Sequence, residues 1–193
     1  MDVKDCLTTE RLVLRRWRDS DRKAFRNLNA DTRVMEFMPK LLTWDESDRL
    51  MKRFEGHFEE HGFGLYAAEL RDSQGLIGFL GLAVPDFSAG FTPCVEIGWR
   101  LAPEYWGHGL ATEGAREAMR DGFESQGLTG IVSFTVPMNV RSVRVMERLG
   151  MARDQDGDFE HPKLPEGHAL RHQVLYRLDR EVWKQGGVAS RTT

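Results

Sequence analysis

Cys94–Glu124, CVEIGWRLAPEYWGHGLATEGAREAMRDGFE, is the stretch from which the rest of the chain can be read. From Cys94 to Leu101 the residues alternate. Val95, Ile97, Trp99 and Leu101 face one way, Glu96, Gly98 and Arg100 the other, which is the period of a strand. Pro103 ends it, having no N–H to give a neighbour. From Leu110 the spacing turns helical, with Leu110, Ala111, Ala115, Ala118, Met119 and Phe123 on one stripe. Glu113, Arg116, Glu117, Arg120 and Glu124 lie opposite. Between strand and helix stands Trp106-Gly107-His108-Gly109-Leu110-Ala111. Two glycines allow backbone conformations that a Cβ blocks, and a helix start offers unpaired N–H groups and a positive dipole end. Together they suit a phosphate or pyrophosphate. The glycine pair alone reads equally well as a tight turn ahead of a helix.

The surroundings separate three phosphate-binding designs. A P-loop needs Gly-x-x-x-x-Gly-Lys-Ser/Thr, and no lysine follows these glycines. A dinucleotide fold needs a third glycine directly after a strand and an acidic residue roughly 20 positions on. Here the third glycine is missing, and the next strand, Ile131 to Val136, ends in Pro137 without a carboxylate. The third design is a strand, a Gly-x-Gly/Ala loop and a helix, and the segment resembles the acyl-CoA signature of the GNAT superfamily of N-acyltransferases, Gln/Arg-x-x-Gly-x-Gly/Ala. Trp106 departs from the first position, while the backbone cradle is unaffected. The run Tyr105-Trp-Gly-x-Gly-x-Ala-Thr-Glu113, preceded by Glu96-Ile-Gly-x-x-Leu101, is similar to the branch of ribosomal-protein N-terminal acetyltransferases. The resemblance extends from Arg11-Leu-Val-Leu-Arg15 to Asn139-Val-Arg-Ser142 and Glu147-Arg-Leu-Gly150-Met151. It implies an α/β fold of α+β type: a mixed, mostly antiparallel sheet, splayed between its fourth and fifth strands and flanked by helices. It also implies acetyl-CoA as cosubstrate, held by Leu101, Trp106, Gly107, His108, Gly109, Leu110, Ala111, Thr112 and Asn139.

Flanking segments supply the remaining elements. A strand is expected over Thr8–Trp17, then a helix capped by Asp19 or Ser20 and running to about Asn29. A short helical piece over Thr32–Phe37 should stop before Met38-Pro39. Thr43 caps a longer helix from Trp44 to about His61, closed by Gly62. Two antiparallel strands, Gly64–Leu70 and Leu76–Val84, lead into the organising strand. After Gly130–Val136, Asn139 opens a helix to Leu149, and Met151–Asp154 with Gln173–Leu178 close the sheet around a long loop.

With 193 residues the chain is expected to form one domain, 1–185, followed by a flexible tail, 186–193. Cys6 and Cys94 sit in unrelated contexts, so free thiols in a reducing cytoplasm are expected. The start, MDVKDC, has no apolar core of a signal peptide. No run approaches a membrane span, and a net charge of −3 with interspersed signs argues against a nucleic-acid surface. A monomer or homodimer is expected.

Making an amide from an amine and a thioester poses three problems. A primary amine near neutral pH holds a proton that must leave, the oxyanion needs a donor, and the departing thiolate benefits from a proton. Glu96, close to the glycine loop, is the candidate base; otherwise it pairs with Arg100, two positions along the same face. In enzymes that the chain resembles, a glutamate on this strand is the usual base. Many of them carry an acidic tyrosine four positions before the glycine matching Gly150, and here that position is Met146. Ser142, one turn earlier, is therefore the candidate acid, unless its hydroxyl bonds its own helix backbone. Asn139 is an N-cap that, by resemblance, also touches the pantetheine arm. Thr112 adds a hydroxyl for a phosphate, and His108 matters through its backbone. His57 and His61 lack the glutamate of the zinc motif. His161, His168 and His172 read as loop polarity, so no metal is expected.

These residues describe an acetyl-CoA-dependent N-acetyltransferase acting on a primary amine of a small molecule, peptide or protein N-terminus, by direct attack in a ternary complex. The alternative is a catalytically silent acyl-CoA-binding sensor or regulatory module. Segment 152–172 carries Asp154, Asp156, Asp158, Glu160 and Glu166, so a positively charged acceptor is expected beside it.

Overall fold

The computed structural model describes residues 5–73 and 75–189. The chain runs β1 (Cys6–Thr8), β2 (Leu12–Arg15), a 3-10 turn, α1 (Arg22–Ala30), α2 (Trp44–His61), β3 (Leu65–Leu70), β4 (Leu76–Ala83) and β5 (Glu96–Leu101). It continues through a 3-10 turn, α3 (Leu110–Glu124), β6 (Gly130–Thr135), α4 (Val140–Arg148), β7 (Ala152–Glu160), β8 (His172–Asp179) and α5 (Arg180–Ala189). Local chemistry sets the clearest boundaries. Thr43 and Glu46 form a reciprocal capping box at the start of α2, and Gly62 closes it with φ of 79°. Asn139 caps α4 by accepting from the Ser142 N–H.

The strands form one mixed sheet in the order β1-β2-β3-β4-β5-β6-β8-β7, antiparallel except between β5 and β6. That parallel contact is a single register pair, Glu96 opposite Val132. The Val132 amide donates to the Val95 carbonyl at 2.9 Å. One residue further, a side chain replaces the backbone donor: Ser133 Oγ donates to the Ile97 carbonyl at 3.0 Å. Beyond it the strands part, so the expected splay lies between β5 and β6.

The two faces of the sheet are covered differently. Leu80, Leu82, Ile97 and Trp99 share the face under α3. Gly114 lets α3 approach closely, since a Cβ there would meet Leu80 Cδ2 at 2.5 Å. On the other face Phe79, Gly81 and Ala83 stand beside Arg100, Gly98 and Glu96. Trp17, Phe25 and Phe54 pack around Phe79 with ring centroids 5.1–6.2 Å from it. Leu12, Leu14, Leu80, Ile97, Met119 and Met146 are fully buried, each stabilising the fold by about 1.5–3 kcal/mol.

Several expected elements differ. The single strand over Thr8–Trp17 is a hairpin, with β1 folding back on β2 through the Thr9 amide bonded to the Leu12 carbonyl. The short helix over Thr32–Phe37 is a run of turns, because the Asp31 carboxylate accepts from the Arg33 amide and competes with helical pairing. The long loop after Ala152 is mostly strand. β7 pairs with β8 through a register shift between Asp154 and Phe159, and only residues 161–171 loop out. Helix α5 had no expected counterpart. It runs to Ala189, past the expected start of a tail at residue 186, and residues 190–193 lie outside the described residues.

Candidate active site

At the end of β5, Leu101 is buried and its carbonyl accepts from the Trp106 indole Nε1 at 2.8 Å. Leu101 therefore anchors the turn, with its side chain in the core and its carbonyl held by the indole. Gly107 and Gly109 hold φ of 79° and 78°, a left-handed conformation available to glycine at little steric cost. Gly109 is the N-cap of α3 and brings no side chain to it. The amides of Leu110, Ala111 and Thr112 consequently face outward without helical partners. Thr112 Oγ1 is buried without a hydrogen-bond partner among the described residues. An orphaned hydroxyl beside three free amides, with no Cβ in the way, fits the pyrophosphate of CoA.

Glu113, in the same turn, would repel that group if left alone. Its carboxylate accepts from Thr9 Oγ1 at 2.6 Å, the Arg11 amide at 2.9 Å and Arg11 Nε at 2.6 Å. Burial raises the Glu113 pKa, but these donors outweigh it and leave the group below the usual carboxylate range. Arg11 Nη1 also donates to the His108 carbonyl at 2.9 Å, so the β1–β2 turn pins the glycine loop. His108 itself is exposed and contributes through this carbonyl. Sequence reasoning placed Arg11 in a family motif and missed its partner in α3.

Glu96 is half-buried and has no ion-pair or hydrogen-bond partner among the described residues. Burial pushes its pKa up to about 8. The alternative pair with Arg100 does not form. Arg100 Nη1 donates to Asn29 Oδ1 at 2.6 Å and Nη2 lies 3.0 Å from Met38 Sδ, while the guanidinium covers the Phe79 ring. Gly98 keeps a slot open between them. The nearest atoms to a Cβ built there are Glu96 Oε1 and Leu65 Cδ2, both at 4.0 Å.

Across the splay, Asn139 Oδ1 accepts from the Ser142 amide, and its Nδ2 donates to Thr135 Oγ1 and Ser142 Oγ, each at 3.0 Å. The Ser142 oxygen is thus an acceptor toward Asn139, and its own proton is free to be given elsewhere. The bond to its own helix backbone is not made. Met146 is wholly buried and has no proton to offer. Arg141, one residue before Ser142, stacks over Trp106 at 4.4 Å and pairs with Glu36 at 2.7 Å. The motif position that usually carries Gln or Arg therefore holds an indole with an arginine resting on it, and the tryptophan was the only signal for this in the sequence.

Other candidates resolve locally. His57 Nδ1 bonds the Phe63 carbonyl at 2.8 Å and Nε2 accepts from the Val84 amide at 2.9 Å, so both ring nitrogens are engaged. Among the described residues no group of three or more His, Cys, Asp or Glu could hold a metal ion. Cys94 is pushed up to about 11 by burial and by Glu96, which leaves it a thiol. The carboxylates of β7 are largely paired: Asp154 with Arg177, Asp158 with Arg153, and Glu160 with Arg171 and His172. Among the described residues no helix is long and apolar enough to cross a membrane.

The acetyltransferase (GNAT) domain family matches residues 11–152. YnaD, an uncharacterized N-acetyltransferase of Bacillus subtilis strain 168, is 28% identical over 178 residues, covering 92% of this chain and 98% of its own. A GNAT-family acetyltransferase from Bacillus anthracis superposes with a TM-score of 0.75 at 25% identity, over 91% of this chain and 99% of its own. Spermidine N-acetyltransferase from Vibrio cholerae, solved with CoA and spermine, shares the fold with a TM-score of 0.69 at 20% identity, over 90% of this chain and 98% of its own.

Proposed function

The chain belongs to the GNAT acetyltransferase family, and on that premise we propose that it transfers the acetyl group of acetyl-CoA to a primary amine by direct attack within a ternary complex. The observation that carries this reading is Glu96, an unpaired carboxylate beside an open slot on the strand that borders the splay, with Ser142, whose proton is free, on the helix that follows β6. When bound, acetyl-CoA supplies an acetyl thioester. The amides from Leu110 to Thr112, with the Thr112 hydroxyl, would hold its pyrophosphate, and Asn139 stands on the pantetheine side.

The chain's own groups then divide the proton work. An ammonium has a pKa near 10, so its proton passes to an ordinary carboxylate against about 8 kcal/mol, but to one at about 8 against only about 3 kcal/mol. Burial of Glu96 thus makes a workable base from a weak one. The edge of β5 left by β6 supplies the oxyanion donor. Trp99 is the next residue along that edge, and its amide has no β6 residue opposite it. Ser142 donates to the departing sulfur. Cys94, a thiol outside the loop motif, is not a nucleophile in this scheme.

The acceptor is a primary amine of a small molecule, a peptide or a protein N-terminus, the last being the chemistry of the ribosomal-protein branch that the motifs resemble. The carboxylates behind the expectation of a cationic acceptor are mostly held by arginines, so the site carries no built demand for a polycation. Free thiols at Cys6 and Cys94 suit the reducing cytoplasm. The test is release of free CoA thiol across a panel of amines and peptides. Turnover lost in both Glu96→Gln and Ser142→Ala supports the assignment. Protection of acetyl-CoA without thiol release from any amine would favour a silent acyl-CoA sensor.

A further inference from the structure

Four phenylalanines and a histidine form a second aromatic cluster that is separate from the core. Phe87 and Phe91 come from the β4–β5 connection, Phe134 from β6, Phe159 from β7 and His161 from the residue after it. Phe134 meets Phe159 at 5.3 Å and 84°, Phe91 meets Phe159 at 4.8 Å and 68°, and Phe87 meets Phe134 at 5.7 Å and 75°. All four phenylalanines are only half-buried, and none joins the core cluster.

Register places this cluster beside the proposed base. Val132 is opposite Glu96, so the two share a face of the sheet, and Phe134, two residues on, shares it too. Phe134 therefore stands across the splay from Gly98, the slot that flanks the Glu96 carboxylate. The rings rest on the same face as Leu175, which is wholly buried opposite Phe134.

Charge on this wall is already matched. Lys163 pairs with Asp86, Arg177 with Asp154 while lying over Phe91, and Arg153 with Asp158. A polycation would have to displace a lysine and two arginines to reach these carboxylates. A further ring meets exposed edges and faces in the edge-to-face arrangement that the cluster already uses.

Resting on the transferase reading above, we propose that the acceptor is an amine that carries an aromatic ring, seated against Phe134 and Phe159 while its nitrogen reaches Glu96. A free arylalkylamine and a peptide with an aromatic N-terminal residue present the same chemistry. Two matched pairs separate them: 2-phenylethylamine against hexylamine, and Phe-Ala-Ala against Ala-Ala-Ala, each at saturating acetyl-CoA.

Within at least one pair the aromatic member should have a kcat/KM about 10- to 100-fold higher, carried mainly by KM. Phe134→Leu keeps apolar volume but removes the ring, and should cut that ratio about tenfold. Equal or better turnover of hexylamine and Ala-Ala-Ala, or of spermidine, overturns the inference and leaves the transferase reading standing. A ratio unchanged in Phe134→Leu overturns it as well. Saturation-transfer NMR of 2-phenylethylamine on the CoA-loaded protein separates the remaining failures. Ring saturation that Phe134→Leu abolishes, with no thiol released from any amine, supports the ring site and overturns the transferase reading. Absence of ring saturation for both the amine and Phe-Ala-Ala overturns the ring site.

Discussion

Glu96 and Arg100 lie on one face of β5 with Gly98 between them, and they do not pair. Arg100 is drawn to Asn29 of α1 and to Met38, and burial lowers its pKa to about 10, while Glu96 is left alone with its pKa raised to about 8. An ion pair here would have held Glu96 ionised and made it a poor base. The face that α1 brings to the strand thus decides what Glu96 can do.

Activity should follow the ionisation of Glu96. Its folded pKa is raised, so the base form grows as pH rises through about 8, and wild-type kcat/KM should climb across that region. Below it, Glu96 is protonated and resembles glutamine. Glu96→Gln should therefore lose most, tenfold or more, between about pH 8 and the amine's own pKa near 10. An ordinary carboxylate would instead give its largest loss near neutrality or below. A pH–rate profile of both proteins, with one amine, distinguishes the two.

Stability should move the other way. Between about pH 4, where an ordinary glutamate titrates, and about pH 8, the native state keeps a proton on Glu96 that the unfolded chain has lost. Stability from this group is thus present at low pH and declines as pH rises to 8. Glu96→Gln should gain over wild type by about 1–2 kcal/mol from pH 5 to pH 8, a figure reduced for partial exposure. That is about 2–8 °C in Tm for a chain of this size. Thermal melts at the two pH values check it, and a constant difference would put Glu96 in the ordinary range.

The cradle makes a paired prediction. Thr112→Val removes a hydroxyl that has no partner, so the unliganded protein should be unchanged or about 1 kcal/mol more stable. Acetyl-CoA affinity should nevertheless fall about three- to tenfold. Gly109→Asp adds charge at a left-handed N-cap and should weaken binding by tenfold or more. Calorimetric titration of both variants tests this, and unchanged affinity in the pair would remove the loop from the binding site.

Ser142→Ala should lower kcat by about tenfold while acetyl-CoA affinity stays within about twofold. Asn139→Ala should do the same and also cost about 1 kcal/mol of stability, since Asn139 both caps α4 and holds the serine oxygen. Rapid-quench kinetics at saturating substrates, alongside melts, separate the two roles. Wild-type kcat in Ser142→Ala would remove the serine from the reaction.

The strand–loop–helix unit from Glu96 to Glu124, the caps at Thr43 and Asn139, and the stop at Gly62 were legible from the residues alone. Each depends on neighbours within about a turn of helix or strand, where periodicity and capping chemistry are local. The β1–β2 hairpin and β7 were not, because edge strands that are very short, as β1 is, or polar on both sides, as β7 is, leave no clear period. Nor could sequence decide the partner of Arg100, since Asn29 is 71 residues away. The grip of Arg11 on Glu113 spans 102 residues, and the aromatic wall joins three separate segments. Local sequence determined a strand, a phosphate-shaped loop and a helix, with a carboxylate in the right place. Only tertiary packing decided that the carboxylate would be desolvated and unpaired, because burial and charge pairing depend on residues that the fold brings together from far along the chain.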